Sequence, residues 1–223
     1  MFNSVIRYVL PIIILSILSS CKTEYSIDIY ASDLFVDTSR PTSAHMTVQI
    51  PSCEIKKRYE SKILTLFSLD SKAQVVDCFE NDAKSYILLS FIVKIENETS
   101  HQDVILFRNS VPNVEHEGKQ YEFVGIKPVF NEHFLQRSND LLRENFLELS
   151  YKDITIKFNI INDERDSVLL SGNNLWVDGM PHYRFHRQPI ARRQSVEIQL
   201  SDVMSDLIIR DTMPVAFWVG RLK

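Results

Sequence analysis

The chain reads as an α+β, strand-dominated protein: antiparallel sheet, two main helices at about 55–68 and 130–147, and a β-sandwich-like C-terminal part. Three observations predict this. Apolar and polar residues alternate with period two in run after run, from Tyr25–Tyr30 to Val215–Val219. Two stretches instead space their apolar residues three and four apart, and turn-forming pairs punctuate the rest.

Tyr25–Tyr30 alternates and forms the first strand, and His45–Ile50 the second. From Ile55 the apolar residues fall at Ile55, Tyr59, Ile63, Leu66 and Phe67, one face of a helix with Cys53 just ahead of it. Ala73–Phe79 and Tyr86–Ile95 are strand-like, the second apolar nearly throughout, as a strand covered on both faces would be. Val104–Phe107 and Tyr121–Ile126 continue the sheet. Phe130–Leu147 is the longest helical segment, with Phe130, Phe134, Leu141, Leu142 and Phe146 in one stripe and Arg137, Asp140 and Arg143 outside it. Its polar side is mixed in sign, which favours packing on a sheet over lying on a membrane.

Beyond this helix the pattern is all β: Ile154–Ile161, Val168–Leu170, Leu175–Val177, Tyr183–His186, Val196–Leu200 and Val215–Val219. Asn162-Asp163, Gly172-Asn173 and Asp178-Gly179 supply the turns. The change of character at 150 allows two subdomains, 25–149 and 150–223. One echo is internal: Ser26–Leu34 lines up with Ser195–Val203, a strand followed by a Ser or Asp able to cap a short helix. Neighbouring or twofold-related strands there would favour a duplication over a recurring local motif.

The first 20 residues have another logic. Met1–Arg7 carries one basic side chain, Tyr8–Leu18 is almost unbroken apolar sequence, and small residues precede Cys21, the layout of a secretory signal. The apolar run covers about 11 to 13 residues, where a membrane span needs roughly 20. Leu18-Ser19-Ser20-Cys21 resembles the bacterial lipobox, in which the cysteine receives a diacylglyceryl group and becomes the mature N-terminus. That resemblance implies lipidation of Cys21, a tether of only 21–24, a globular ectodomain over 25–223 and permanent attachment to the bilayer, since each buried CH₂ contributes roughly 0.8 kcal/mol. Residue 22 is Lys; in lipoproteins of enterobacterial type an Asp there signals inner-membrane retention, so Lys22 implies the periplasmic leaflet of the outer membrane. A simple secretory signal is the rival, and it leaves Cys21 as an odd thiol.

With 44% apolar and 24% charged residues, a folded ectodomain with a real core is expected. Loss of Arg7 with the signal leaves a net charge of about −5, which argues against a general nucleic-acid binder. Once Cys21 is committed to lipid, Cys53 and Cys78 remain as an even pair in an oxidising compartment and are expected to form a disulfide worth about 3 kcal/mol; two buried free cysteines are the alternative. A C-x-x-C motif is absent, so the pair reads as a staple.

Chemistry-bearing patterns are few. His182, Arg184 and His186 fall on one face of a strand, with Tyr183, Phe185 and Arg187 on the other. Two histidines two apart ligate a transition metal only where a third ligand converges. Nothing local supplies one, and Arg184 repels a cation, so no metal and no cofactor is expected. Arg184, Arg187, Arg192 and Arg193 make the one basic cluster of an acidic protein, suited to phosphate-bearing headgroups or an acidic envelope partner; a solvated loop is the plainer reading. Glu115-His116-Glu117 lies in a turn-like segment and lacks the third partner and cleft that acid–base work needs. Trp176 and Trp218 are candidate interface anchors, although alternation around both suits core or edge strands better. No G-x-S-x-G, H-E-x-x-H or Gly-rich phosphate loop occurs, and no catalytic residue is assigned.

Cys21-Lys22-Thr23-Glu24 leading into the first strand, Ala31-Ser32-Asp33-Leu34, Val48-Gln49-Ile50-Pro51-Ser52-Cys53, and Cys78-Phe79 before a long apolar strand resemble a group of small lipoproteins from bacteria and their prophages. The resemblance covers about a quarter of the chain, supports the anchor and the disulfide, and brings no activity with it. The expectation is a lipid-anchored binding module facing the periplasm. The rivals are an envelope hydrolase with a dispersed site, marked by a pocket of His and carboxylates, and a prophage product that alters the host surface.

Overall fold

The computed structural model describes residues 23–36, 40–97, 103–143 and 154–223. Cys21 and the expected signal segment, residues 1–20, lie outside the described residues. In chain order the elements are β1 (Thr23–Tyr30), α1 (Ala31–Leu34), β2 (Arg40–Ile50), a 3₁₀ turn at Cys53–Ile55, α2 (Lys56–Leu64), a second 3₁₀ turn at Leu69–Ser71, β3 (Gln74–Asn81) and β4 (Lys84–Glu96). They continue as β5 (Val104–His116), β6 (Lys119–Phe130), α3 (Glu132–Arg143), β7 (Ile154–Ile161), β8 (Val168–Val177), β9 (Met180–Ile190), β10 (Ser195–Leu200), α4 (Asp202–Ile209) and β11 (Phe217–Leu222). The α+β, strand-dominated class is as expected.

The strands run β10-β7-β1-β2-β4-β5-β6-β11-β8-β9, with β3 also on β4 and β8 also on β10. Two strands divide one edge between two partners. β4 pairs with β2 along Ser85–Ile95, and on its other edge meets β3 through Lys84–Ser90 and then β5 through Lys94–Glu96. β8 pairs with β9, and on its other edge meets β11 through Leu169–Gly172 and then β10 through Leu175–Val177. Strands that change sheets in this way turn the corners of a sandwich. The circuit therefore closes, with β3, β4, β2, β1, β7 and β10 on one side and β5, β6, β11, β8 and β9 on the other.

The core lies between the two sides. Tyr25 of β1 meets Phe130 of β6 edge-on at 5.1 Å, and Phe158 of β7 meets Phe217 of β11 at 4.9 Å. Along β4, Ile87, Leu89, Phe91, Val93 and Ile95 all point inward, while Leu88 and Ile92 on the opposite face are half-buried. The expected cover on both faces is therefore only partial on one. Phe67, after α2, joins the core to α3 by packing on Phe91 at 4.9 Å and on Phe134 at 5.2 Å.

Several expectations are corrected. The sheet is not wholly antiparallel, because β1–β7 and β4–β5 are parallel. Val168–Leu170 and Leu175–Val177 belong to one strand: the bend at Gly172–Asn174 is where β8 changes partner, with Asn174 at φ 53. Phe130 ends β6 and is not helical; α3 starts after Asn131, whose Oδ1 accepts from His133 N at 2.9 Å. Residues 144–147 of the expected helix lie outside the described residues. Pairing of β1 with β7 and β6 with β11 carries the sheet across residue 150 without a break. The two echoing strands, β1 and β10, are not neighbours; they flank β7, one parallel and one antiparallel. Ser201 caps α4 by accepting from Met204 N at 3.3 Å, whereas α1 has no side-chain cap. Cys53 and Cys78 form the expected disulfide, tying the first 3₁₀ turn to β3.

Candidate functional site

A groove of about 340 Å³ lies on the outer face of β5-β6-β11-β8-β9, lined by Val111, Val114, Phe123, Trp218, the Ser171–Asn173 segment, and Arg184, His186 and Arg187. Its two walls are bulged strands. On β5, the two residues between Val111 and Val114 stand opposite the single residue of β6 between Phe123 and Tyr121. On β9, the two residues between Phe185 and Gln188 stand opposite the single residue of β8 between Gly172 and Leu170. An extra residue bends its strand and increases the local twist. The result is measurable: β5 and β9 are four strands apart, roughly 19 Å in a flat sheet, yet Arg187 Nη1 lies 2.8 Å from His116 Nδ1. The sheet is rolled into a trough whose edges meet through these two side chains.

The β9 bulge also decides which residues share the groove. Strict alternation puts Arg187 opposite Arg184 and His186; the bulge brings all three to one face. Arg187 occupies the left-handed region, φ 51, and its N–H donates to Ser171 Oγ at 2.8 Å, replacing the ladder bond that the bulge removes. The floor depends on a glycine: a Cβ at Gly220 would stand 2.6 Å from Phe123 Cε1, so the ring lies against bare backbone. Trp218 faces Gly125 on one neighbouring strand and Ser171 on the other.

The electrostatics are one-sided. Arg40, Arg137, Arg210 and Arg221 each meet a carboxylate, Arg221 with Glu122 at 3.1 Å and Glu164 at 3.6 Å. Among the described residues Arg184 and Arg187 meet none, and no carboxylate lines the groove. Because a guanidinium has no acceptor, His116 Nδ1 is the acceptor in its contact with Arg187. Nε2 faces the exposed Glu117 carboxylate at 3.9 Å, beyond hydrogen-bond length. The site thus offers two uncompensated cations above an apolar floor.

A family model described as "Domain of unknown function (DUF7424)" matches residues 23–219. The chain belongs to this family. No curated protein and no solved structure matches it. The DUF7424 span begins with β1 and ends within β11, so every groove residue from Val111 to Trp218 lies inside it and Cys21 lies outside.

Within the DUF7424 domain the four arginines separate into two pairs. Arg184 and Arg187 enter the groove, while Arg192 and Arg193 sit exposed in the β9–β10 connection, where Arg193 N donates to Asn162 O at 2.8 Å. The histidines part as well: His186 lines the groove, and His182 lines a separate hollow with Trp176, Tyr183 and Val203. No group of three or more His, Cys, Asp or Glu that could hold a metal occurs among the described residues. Of Glu115-His116-Glu117, His116 meets a groove residue through its side chain, Arg187. Trp218 forms part of the floor, and Trp176 is exposed on β8. Sequence reasoning passed over Val111, Phe123 and Ser171, which look like ordinary strand residues; a local sign of the bulged β5 wall is Pro112, since proline cannot donate to the ladder.

Proposed function

We propose that this DUF7424 chain is a lipid-anchored, non-catalytic binding module of the cell envelope, held by acylated Cys21 and facing the periplasm, and that the groove is its contact with an anionic partner. The reading of Cys21 rests on the lipobox; Lys22 favours the outer membrane. The single observation that carries the binding role is the pair Arg184 and Arg187, uncompensated by any lining carboxylate. Holding an anion needs fixed donors of this kind, whereas acid–base catalysis needs a titrating pair within reach of a shared proton. His116 gives its lone pair to Arg187 instead.

The test has two parts. Metabolic palmitate labelling of the wild type should be abolished by Cys21→Ala, and a variant that still labels overturns the anchor. Crosslinking of intact protein in its host membrane should capture an envelope component that the Arg184→Ala/Arg187→Ala variant no longer captures. Equal capture by both proteins overturns the groove as the contact.

A further inference from the structure

We infer that the groove takes a phosphate monoester carrying a short apolar or aromatic group; this rests on the binding reading above and names the ligand. The first argument is charge. Arg184 and Arg187 present two guanidinium groups without a carboxylate partner among the described residues, and the one side-chain contact of Arg187 is to a ring nitrogen of His116, not to an anion. A carboxylate or a phosphodiester brings a single negative charge and leaves one guanidinium uncompensated. A phosphate monoester carries about −1.5 to −2 at neutral pH, with three terminal oxygens, and so matches two donor forks.

The second argument is the floor. Val111, Val114, Phe123 and Trp218 form the apolar part of the lining of the groove that the arginines enter. Inorganic phosphate would satisfy the charge but leave that surface in water, whereas an apolar substituent on the ester covers it at about 25 cal/mol per Å². A volume of about 340 Å³ lies at the small end of ligand sites, enough for one ring or a short alkyl segment. The third argument is the backbone. A non-glycine residue held at φ 51 in a bulge is costly, and this one lies in the bulge that puts Arg187 in the same groove lining as Arg184. Soluble monoesters and the headgroup of phosphatidic acid share this chemistry.

Calorimetric titration of the full-length chain in detergent micelles tests the inference with phenyl phosphate, inorganic phosphate and benzoate. Phenyl phosphate should bind saturably, and the other two at least about 10-fold more weakly. Arg184→Ala should weaken phenyl phosphate roughly 10- to 100-fold, the range for a hydrogen bond to a charged group, with no change in melting temperature because Arg184 is exposed and unpartnered among the described residues. Arg184→Lys, which keeps the charge and loses the fork, should fall between. No saturable binding, benzoate equal to phenyl phosphate, or an indifferent Arg184→Ala overturns the inference. Short-chain phosphatidic acid in the same micelles assigns the source: displacement of phenyl phosphate indicates a lipid headgroup and no displacement a soluble ester, and either result supports the ligand class. Release of inorganic phosphate from bound phenyl phosphate would support the ligand class and overturn the non-catalytic reading, and a wild-type protein that takes up no palmitate, or a Cys21→Ala variant that still does, would overturn the anchor alone.

Discussion

Arg187 combines two roles that substitution can separate: its guanidinium faces the groove, and its backbone sits at φ 51. Arg187→Ala and Arg187→Gly both delete the guanidinium and its hydrogen bond to His116, so the difference between them isolates the backbone. An L-residue in the left-handed region costs about 1–2 kcal/mol, which glycine avoids. Glycine in turn gains freedom in the unfolded chain, costing about 0.4–1 kcal/mol. The glycine variant should therefore be the more stable by about 0.5–1 kcal/mol. At about 2–4 °C per kcal/mol for a domain of this size, the melting temperatures should differ by about 1–4 °C, readable by thermal denaturation followed by circular dichroism. Both variants should lose phenyl phosphate binding to the same extent. An alanine variant as stable as the glycine variant would mean that the bulge is not left-handed in solution. The reason for Arg187 sharing a face with Arg184 would then be gone.

Gly220→Ala places a methyl group 2.6 Å from the Phe123 ring, so the ring must move into the groove; we expect about 1–3 kcal/mol of destabilisation in denaturant titration together with weakened phenyl phosphate binding, and an unchanged protein would refute the packing. The double change Cys53→Ser/Cys78→Ser opens a loop whose closure is worth about 3 kcal/mol and should lower the melting temperature by about 6–12 °C; an unmoved transition would show that the staple contributes nothing. Burial pushes the Tyr25 hydroxyl well above its ordinary range. Above about pH 10 the unfolded chain releases a proton that the folded chain keeps, so stability should fall by about 1.4 kcal/mol per pH unit. Tyr25→Phe should flatten that slope between about pH 10 and 11.5, and an equally steep variant would place the alkaline sensitivity elsewhere.

Period-two alternation found the strands wherever one face enters the core, because burial writes the pattern: Tyr25, Ile27 and Ile29 on β1, Ile154, Ile156, Phe158 and Ile160 on β7. It lost them where a strand is held by its partner's backbone and not by the core. β5 runs nine residues past the expected Phe107, through Asn109, Ser110 and Glu115, because pairing with β6 continues to His116. The Gly172-Asn173 signal was read as a turn because a partner change within a strand and a reversal between strands use the same residues. Phe130 joined a false helical stripe for a similar reason: it lies at helical spacing from Phe134, but its ring packs on Tyr25 across the sandwich. The Asn131 cap one residue later was the better boundary signal.

The groove was legible only in part, for a reason that its geometry supplies. The chemistry of one wall, Arg184 and Arg187, stood out as a basic cluster against an acidic background. Their convergence did not, because alternation assigns them to opposite faces, and the bulge that reverses this is stabilised from another strand by the Ser171 hydroxyl. His116 lies 71 residues from Arg187 in sequence, and only the rolling of five strands brings the two together. Each wall does carry a proline in a strand, Pro112 on β5 and Pro189 on β9, and neither can donate to a ladder. Such residues belong on edges and bulges. Among the described residues both walls are strands with an unpaired edge, since β9 pairs only with β8, and β5 beyond Phe107 pairs only with β6. A sheet whose outer strands are bulged and unpaired on one side is free to curl its edges together. That freedom turns a flat outer face into a trough, and the two arginines of β9 into one site.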